Sequence, residues 1–463
     1  MDAKKSTKVL HPLVVMIFVI LAGGILTYIV GAGSFERHGA LVIPGTYHAI
    51  PKDGGWQALF SLSPAAPAGK SVHAASIASV FMSIPEGLAK NASLIFMVMF
   101  VGGMFGVLRR TGAIDAGADR LIHATSSNLN LLVPILMMAL ALGSTFLGFI
   151  SEYLVLIPIV AIVGERLGYG PMFAAAIVGV AAKVGYATSV TNPLALIIAQ
   201  PLAHVPLFSG IGFRLALFVV FISLGIAYVV VYLRFGARTL TTEAAQIASG
   251  LSHKQSAVLL ALLLAGIVLV FGSVIWGWHE NEIGAYYIGL SFIFALLGGL
   301  SAREAADAFV DGLKNMMLAA LLIGLAGSVQ ILLQQSAVLD TLIFEATRAI
   351  GGHSRAVTAN ELMGIEMLLG VLIPSTAGKV AVSMPILAPI AQLSGVSGQT
   401  TVLAFILGNG LTNMITPTSG MLLAYLATAR VGYTEWLRFI SPLFVCLLLL
   451  SALAMTVAVA IGY

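Results

Sequence analysis

Long apolar runs separated by short polar segments make up most of the chain. A helix needs about 20 apolar residues to span a bilayer, and most of these runs are close to that length. The pattern predicts an all-α polytopic membrane protein. The runs lie near residues 13–31, 93–108, 131–163, 171–203, 213–233, 256–277, 284–300, 315–333, 361–392, 400–428 and 437–461.

Two of these runs are too long for a single straight span. Residues 131–163 and 361–392 each have a middle rich in Gly, Ser and Thr. We interpret both as re-entrant helical hairpins that enter and leave the membrane on the same side. Non-helical backbone at that depth is tolerated only inside protein or beside a water-filled cavity.

Polar breaks interrupt two other runs, at residues 187–193 and 409–420. Pro193 and Pro417 each lack an N–H and clash with the carbonyl four residues back, which belongs to Ser189 or Asn413. Freed carbonyls beside Ser, Thr and Asn oxygens form hard-ligand cradles suited to Na⁺. The alternative is a proline kink satisfied by its own Ser and Thr side chains.

The two halves of the chain resemble each other at a nearly constant offset. Gly87-Leu88 matches Gly312-Leu313, and Ile157-Pro158-Ile159 matches Met384-Pro385-Ile386. The first repeat covers residues 13–234 and the second covers 284–461, with 256–277 as the extra crossing that inverts the second. Inverted repeats of this kind are typical of secondary transporters.

Composition excludes a soluble protein. Of 463 residues, 59% are apolar and only 9% are charged, against roughly 25% charged in soluble domains. The sequence contains no zinc-protease HExxH, no ATP-binding GxxxxGK[ST] and no CxxC motif. The one cysteine, Cys446, cannot form a disulfide within the chain, and the net charge of +4 does not suggest nucleic-acid binding.

Lys and Arg outside the spans favour one orientation. Most lie on the side of the N-terminus, including Lys4, Lys5 and Lys8, whereas a smaller set that includes Arg214 lies on the other. Because cytoplasmic loops are enriched in Lys and Arg, we expect the N-terminus to be inside. The first apolar run is long enough to be a retained helix and too long for a usual signal peptide.

Four charged residues fall in or near the hydrocarbon region: Glu152 and Lys183 in the first repeat, and Glu366 and Lys379 in the second. Such residues are costly and mark functional sites. Glu152 and Lys379 occupy equivalent hairpin positions, which suggests a shared pocket or a buried ion pair between the hairpins. Lys183 lies too deep to reach the interface and needs a partner, a cavity or an anion. Glu366 could either face the site or reach the outer interface.

Shorter polar segments predict peripheral elements. The loop 34–70, with Gly45-Thr46-Tyr47 and several prolines, predicts a small extracellular cap. Residues 71–90 and 301–313 predict surface helices on opposite sides. Residues 109–125 and 334–350 predict amphipathic interfacial arms.

Several motifs together are similar to those of a known family. They are residues 110–115 (RTGAID), 206–213 (PLFSGIGF), 373–379 (IPSTAGK) and 412–420 (TNMITPTSG). The chain resembles the YfcC-type branch of the C4-dicarboxylate anaerobic carrier family, within the ion transporter superfamily. The resemblance covers nearly the whole chain. Members are described as dicarboxylate carriers or as basic amino-acid antiporters.

The resemblance implies a homodimer in which a transport domain moves against a scaffold by an elevator motion. The scaffold corresponds to residues 1–130 and 251–360, and the transport domain to 131–250 and 361–463. Sites are implied at hairpin tips and broken helices. One departure is visible: the Ser-Asn-Thr motifs at both hairpin tips of the divalent anion/sodium symporters, which belong to this superfamily, are replaced here by Gly143-Ser144-Thr145 and Pro374-Ser375-Thr376.

Together these inferences select candidate site residues. Lys379 and the half-helix ends would bind carboxylate, and Glu152 would take a proton or bind a substrate amine. The candidates for substrate binding are Ser144, Thr145, Glu152, Lys183, Asn192, Ser375, Thr376, Lys379, Asn413 and Thr418. The candidates for cation binding are Ser189, Thr191, Thr412 and Thr416. No resident cofactor is expected beyond Na⁺ or H⁺ as a coupling ion.

The sequence therefore predicts a secondary active transporter of a small carboxylate-bearing metabolite, similar to a C4-dicarboxylate, and not an enzyme. We expect elevator alternating access, coupled to a cation or proton, in the bacterial cytoplasmic (inner) membrane. The alternative is a basic amino-acid antiporter of the arginine/ornithine type. A channel or a membrane sensor is a more distant alternative. The expected partners are the small-molecule substrate, the lipid bilayer and a second copy of the chain.

Overall fold

The computed structural model describes most of the chain. The described residues are 12–39, 41–61, 72–124, 128–236, 252–348, 350 and 353–463. Lys4, Lys5 and Lys8, on which the predicted orientation partly depends, lie outside the described residues, as do 62–71 of the predicted cap.

The structure is built from helices, as the apolar runs predict. Within the described residues, nine helices are long and apolar enough to cross a membrane. The chain is therefore a multi-pass membrane protein. The helices are α1 (Pro12–Ile29), α2 (Ile77–Lys90), α3 (Ala92–Arg110), α4 (Ala113–Ala124), α5 (Leu129–Leu142), α6 (Leu156–Arg166), α7 (Met172–Ala174), α8 (Val180–Thr188), α9 (Pro193–Leu202), α10 (Ile211–Gly236), α11 (His253–Val274), α12 (Glu280–Gly298), α13 (Ala302–Gln335), α14 (Val338–Arg348), α15 (Arg355–Leu372), α16 (Thr376–Leu393), α17 (Gly398–Ile415), α18 (Gly420–Thr428) and α19 (Tyr433–Ala460).

The first long run folds as two helices around a turn. After α5 come a π-helical turn (Gly143–Leu147), a left-handed Gly148 and a 3₁₀ turn (Ser151–Val155), and α6 follows. We call residues 143–151 tip 1. The next helix runs from α7 through a second π-helical turn (Ala175–Gly179) into α8. A Cβ on Gly164, near the end of α6, would contact Phe173 at the start of that helix.

A Cβ on Gly185, near the end of α8, would contact the carbonyl of Ala141 near the end of α5. Helix α5 therefore runs alongside α8, and α6 turns back beside it. The chain leaves α8 at Ser189, whose φ of 40° is left-handed, and restarts as α9 at Pro193. We call residues 189–192 break 1. Pro193 stands at the first position of a helix, where its missing N–H costs nothing.

The second long run repeats this arrangement. Helices α15 and α16 are separated by residues 373–375, which we call tip 2, and their side chains meet. Helix α17 ends before an extended Thr416, and α18 begins after Ser419. We call residues 416–419 break 2. Both breaks thus lie where clusters of Ser, Thr, Asn and Pro predict them.

One boundary was predicted wrongly. Residues 301–313 are not a separate surface helix but the first turns of α13, a single helix of 34 residues. Ser301 and Glu304 form a capping box that starts it. No Pro lies between the charged first turns and the apolar remainder, and Gly312 at that boundary stays within the helix, so nothing stops the helix there.

Glycines bring α3 and α13 into close contact. A Cβ on Gly106 would lie 2.0 Å from the carbonyl oxygen of Ala308, and one on Gly312 would lie 2.1 Å from that of Gly102. Small residues spaced four apart allow this approach between membrane helices. Helix α13 also packs against α1, α2 and α18, and so forms the centre of one side of the molecule.

Short strands form a cap between α1 and α2. They are β1 (Ala32–Ser34), β2 (Arg37–His38), β3 (Leu41–Val42), β4 (His48–Ile50), β5 (Lys52–Asp53) and β6 (Val72–His73), paired as β1–β4 and β2–β3 antiparallel and β5–β6 parallel.

The cap contacts both α14 and tip 2. Arg37 binds the two carboxylate oxygens of Asp340 in α14, at 2.5 and 2.7 Å, and Tyr47 stacks on Phe344 at 3.9 Å between ring centroids. Val42 of β3 packs in one apolar cluster with Ile373 of tip 2 and with residues of α16. The cap therefore joins α14 to tip 2.

Candidate functional site

Tip 1 is hydrogen-bonded directly to break 1. The Thr145 hydroxyl lies 3.0 Å from the Thr188 hydroxyl and accepts a hydrogen bond from the Val190 N–H at 3.0 Å. Thr191 donates its hydroxyl to the Phe146 carbonyl at 3.0 Å. Ser144 donates to the carbonyl of Ala182 in α8. In this structure these predicted residues therefore hydrogen-bond tip 1 to α8 and to break 1.

Helix α15, which leads into tip 2, is hydrogen-bonded to α17 and to break 2. The Thr412 hydroxyl donates to the Met367 carbonyl at 2.9 Å, and the Thr418 hydroxyl donates to the Val371 carbonyl at 2.7 Å. Thr416 and Thr418 hydroxyls lie 2.7 Å apart. Each half of the molecule thus forms a unit: tip 1 with break 1 in the first half, and α15 with α17 and break 2 in the second.

The two units meet where α8 and α17 cross. A Cβ on Gly410 would lie 2.2 Å from the Cα of Ala187, so the helix backbones touch there. Next to this contact, Asn409 donates its amide to the Tyr186 hydroxyl and to the Thr376 hydroxyl, both at 3.2 Å. Tyr186 and Asn409 were not among the predicted site residues, although both lie beside the breaks.

A cavity of about 500 Å³ lies at this crossing, between the two units and helices α2, α3 and α13. A volume of this size suits a small metabolite. Five predicted residues line it, together with tip, break and α13 side chains. Lining residues include Lys90, Ile150, Lys183, Tyr186, Glu280, Ile323, Gln330, Ser375, Thr376, Asn413, Thr418 and Ser419.

Lys183 places a positive charge at the cavity. Its side chain is 2% exposed, as its predicted depth in the span requires. The ammonium lies 5.6 Å from the ring centroid of Tyr425. Among the described residues it has no carboxylate partner and no hydrogen bond. A buried ammonium without an acid is costly, and an anion in the cavity would relieve that cost.

Two helix N-termini also line the cavity. Helix α16 begins at Thr376 with Ser375 as its N-cap, and α18 begins at Gly420 with Ser419 as its N-cap. The N-terminus of a helix carries partial positive charge and free backbone N–H groups, and so favours anions. The cavity is therefore lined by the Lys183 ammonium and by two helix N-termini, all of which favour an anion.

Lys379, a predicted site residue, lies away from the cavity in an ion pair with Glu366. Lys379 Nζ is 3.7 Å from a carboxylate oxygen of Glu366 and donates to the Glu366 carbonyl at 3.2 Å. Both side chains are buried, at 0% and 1% exposure. The prediction that Glu366 could reach the interface is therefore wrong, as is the pairing of Lys379 with Glu152.

Glu152 faces a different cavity. Its carboxylate accepts from the Ile150 N–H at 3.0 Å and from the Ser151 hydroxyl at 3.2 Å. Its side chain lines an almost wholly apolar space of about 430 Å³ beside α11 and α12, where Leu263 and Tyr287 also lie. Among the described residues, Glu152 lines this apolar space and Lys379 pairs with Glu366, so the two do not share a pocket as predicted. The two tips turn differently: tip 1 passes through a π-helical turn, Gly148 and a 3₁₀ turn, whereas tip 2 is three residues between α15 and α16.

The oxygens proposed for a cation already have partners in the protein. Ser189 donates to the Tyr186 carbonyl and accepts from the amide of Asn192, which also caps α9. Arg214 donates from Nε and Nη2 to the Val190 carbonyl of break 1, at 3.2 and 3.1 Å. The Val190 carbonyl of break 1 is therefore already bonded by a guanidinium.

The carbonyls around break 2 also accept hydrogen bonds. Trp436 donates its indole N–H to the Met414 carbonyl at 2.9 Å, and Tyr433 donates its hydroxyl to the Ile415 carbonyl. Within the described part of the chain, no cluster of three or more His, Cys, Asp or Glu side chains could hold a metal ion. Arg214, Tyr433 and Trp436 could not be selected from sequence because their partners lie on distant segments.

Comparison with known proteins gives relatives that match most of the chain. A protein of Escherichia coli K12 named "Putative basic amino acid antiporter YfcC" is 29% identical over 82% of this chain and 82% of its own length. An uncharacterised protein of Haemophilus influenzae is 25% identical over 91% of this chain and 82% of its own.

Among solved structures, the YdaH transporter of Alcanivorax borkumensis is similar, with a TM-score of 0.44 and 18% identity over 98% of this chain and 99% of that one. MtrF of Neisseria gonorrhoeae, from a class of antimetabolite efflux pumps, is also similar. Its TM-score is 0.43 and its sequence identity 16%, over 97% of this chain and 95% of that one. The family model of the C4-dicarboxylate anaerobic carriers matches residues 10–460. The chain is therefore a membrane transporter, and it belongs to the C4-dicarboxylate anaerobic carrier family.

Proposed function

We propose that the chain carries a small organic carboxylate, similar to a C4-dicarboxylate, across the bacterial cytoplasmic membrane. The observation that carries this proposal is the Lys183 ammonium, which faces the 500 Å³ cavity without an acid partner among the described residues. The N-termini of α16 and α18 face the same space. A carboxylate there gains a charge-assisted hydrogen bond from the lysine and backbone N–H donors from the helix ends.

The charge of the cavity favours this substrate class over a basic amino acid. Among the described lining residues the cations are Lys90 and Lys183, and the acid is Glu280. Glu152 and Glu366, which would bind a substrate amine, face elsewhere. A basic amino-acid antiporter stays the second candidate because the YfcC relative carries that name. Such a substrate would bring its positive charges to an already positive site.

We further propose elevator alternating access between two inverted repeats in a homodimer. The transport domain would comprise residues 131–250 and 361–463, and the scaffold 1–130 and 251–360. In support, tip 1 bonds to break 1 and α17 bonds to α15 within this group, while α3 and α13 pack together in the other. The N-terminus would lie inside, as the Lys and Arg distribution favours.

The shape of the site supports alternating access. The large cavity extends to Glu280, at the first residue of α12, and to Lys90, at the last residue of α2. Near Arg109 and Thr428, the cavity between α3, α13 and α18 has a volume of only about 140 Å³. The site is therefore more open towards one end of the bundle, as one state of the cycle requires.

A ligand panel tests the substrate class. Purified protein would be melted with dicarboxylates, monocarboxylates and acidic, neutral or basic amino acids, each in Na⁺ and in choline. A ligand that binds the folded state raises stability by RT ln(1 + [L]/Kd). We expect dicarboxylates to raise the melting temperature. A shift with arginine or ornithine alone would replace this proposal by the antiporter.

Lys183→Met separates a binding role from a structural one. Because the substitution removes an unpaired buried charge at similar volume, we expect the ligand-free protein to melt no lower than wild type, while the dicarboxylate shift and proteoliposome uptake are lost. Lys314→Met, at an exposed lysine paired with Asp311, is the matched control and should keep both. Retained uptake in Lys183→Met would remove Lys183 from the site.

A further inference from the structure

Arg214 is buried in an environment made of neutral oxygens. It is the fourth residue of α10, its side chain is fully buried, and its guanidinium reaches break 1. Besides the two bonds to the Val190 carbonyl, Nη2 donates to the Ser209 carbonyl at 2.7 Å and Nη1 donates to the Tyr463 hydroxyl at 3.3 Å.

No acid balances this charge among the described residues. The ion pairs of the described chain do not include Arg214, and its hydrogen-bond acceptors are two backbone carbonyls and one phenol. Backbone carbonyls and hydroxyls converging on one positive charge are the ligand set that proteins use for hard cations. Here the positive charge they surround is a guanidinium, whose planar donors fix its orientation.

The second half of the molecule is built differently at the corresponding place. Trp436 is the fourth residue of α19, as Arg214 is of α10, and its indole N–H donates to the Met414 carbonyl just before break 2. Both halves thus use the first turn of the helix that follows the broken helix to bond a freed carbonyl. The donor is charged in the first half and neutral in the second.

We propose that the Arg214 guanidinium takes the place of a coupling cation at break 1, so that this half of the site excludes Na⁺ and keeps a permanent positive charge. The inference extends the proposed function, on which its meaning for coupling rests. Arg214 acts as a positioning residue, since it bonds the backbone of the break and does not line the substrate cavity.

The test is the cation dependence of stability without substrate. Wild type, Arg214→Ala and Arg234→Ala would be melted in equal concentrations of NaCl, KCl, choline chloride and methylguanidinium chloride. We expect Arg214→Ala to lose melting temperature in choline and to regain most of that loss in Na⁺ or methylguanidinium, because either ion can fill the vacated oxygens. Arg234 donates to the Asn130 side chain at an exposed site, and its variant should respond like wild type.

A merely structural role gives a different result. If Arg214→Ala loses the same melting temperature in every salt, the proposal is overturned. If that variant does not fold, a structure of the wild-type protein determined in the presence of Tl⁺ decides the question. We expect no density for Tl⁺ at the Val190 carbonyl, and such density there would overturn the proposal. Because no substrate is added, these results stand even if no carboxylate binds, which would instead refute the proposed function.

Discussion

The buried lysines of this protein lie in two different surroundings, which their partners distinguish. Lys183 has no acid partner among the described residues and lines the cavity, whereas Lys379 and Glu366 pair with each other away from it. Depth in an apolar run was enough to predict that Lys183 is buried. The pairing could not be predicted, because residues 366 and 379 meet only when tip 2 turns α16 back along α15.

The Lys379–Glu366 pair predicts a strongly non-additive mutational cycle. Lys379→Met or Glu366→Met alone should each cost about 3–5 kcal/mol of stability, since each leaves one buried charge alone. The double variant should recover most of that loss, because apolar side chains of similar volume replace the pair. Melting temperature and the yield of folded protein measure the cycle.

Transport by the double variant then tests the role of Lys379. If the Lys379–Glu366 pair is purely structural, we expect the folded double variant to keep dicarboxylate uptake. Loss of uptake at wild-type stability would return Lys379 to the substrate site, where the sequence placed it.

At the scale of elements, local chemistry decided what could be predicted. Clusters of Gly, Ser, Thr and Pro revealed both tips and both breaks, because such residues act on their own backbone. The contacts between a tip and its break could not be predicted, since they join hydroxyls such as Thr145 to backbone groups some 45 residues away. The charged start of α13 was separated wrongly because charge alone does not end a helix.

The seam between α3 and α13 predicts a steric penalty. Gly312→Ala would place a Cβ 2.1 Å from the Gly102 carbonyl oxygen, so the helices must separate and the melting temperature should fall. Gly289→Ala in α12 is the matched control, because no atom lies within 4 Å of the added Cβ. That control should be neutral or stabilising by about 1 kcal/mol, from helix propensity. Equal melting temperatures of the two variants would contradict the close approach of α3 to α13.

At the scale of the whole molecule, the sequence predicted the membrane class, the family and the cap, since these depend on composition and local pattern. It could not predict that the cap joins α14 to tip 2. This connection has a mechanical consequence for the proposed elevator. If tip 2 moves while α14 stays, the contact between β3 and α16 must open in each cycle.

Cross-linking tests this movement. In a Cys446→Ser background, Val42→Cys with Ile386→Cys would be bridged by a short, reducible thiol cross-linker. We expect uptake to stop and to return on reduction, while the ligand-induced melting shift persists. The control pair, Tyr47→Cys with Phe344→Cys, joins the cap to α14, whose stacked rings lie within the fixed part. That bridge should leave uptake unchanged. Full uptake with the first bridge in place would contradict the movement.

The unpaired ammonium of Lys183 also determines how the membrane voltage acts on the proposed cycle. Among the charged residues near the tips and breaks, Lys183 and Arg214 are positive, Glu152 is negative, and Lys379 cancels Glu366. An empty carrier would therefore move one positive charge through the field, at about 2.3 kcal/mol per 100 mV for a full crossing. With a singly charged carboxylate bound, such as a dicarboxylate that carries one proton, the same movement is electrically silent. Exchange of one such anion for another would avoid the voltage-dependent return that net uptake requires.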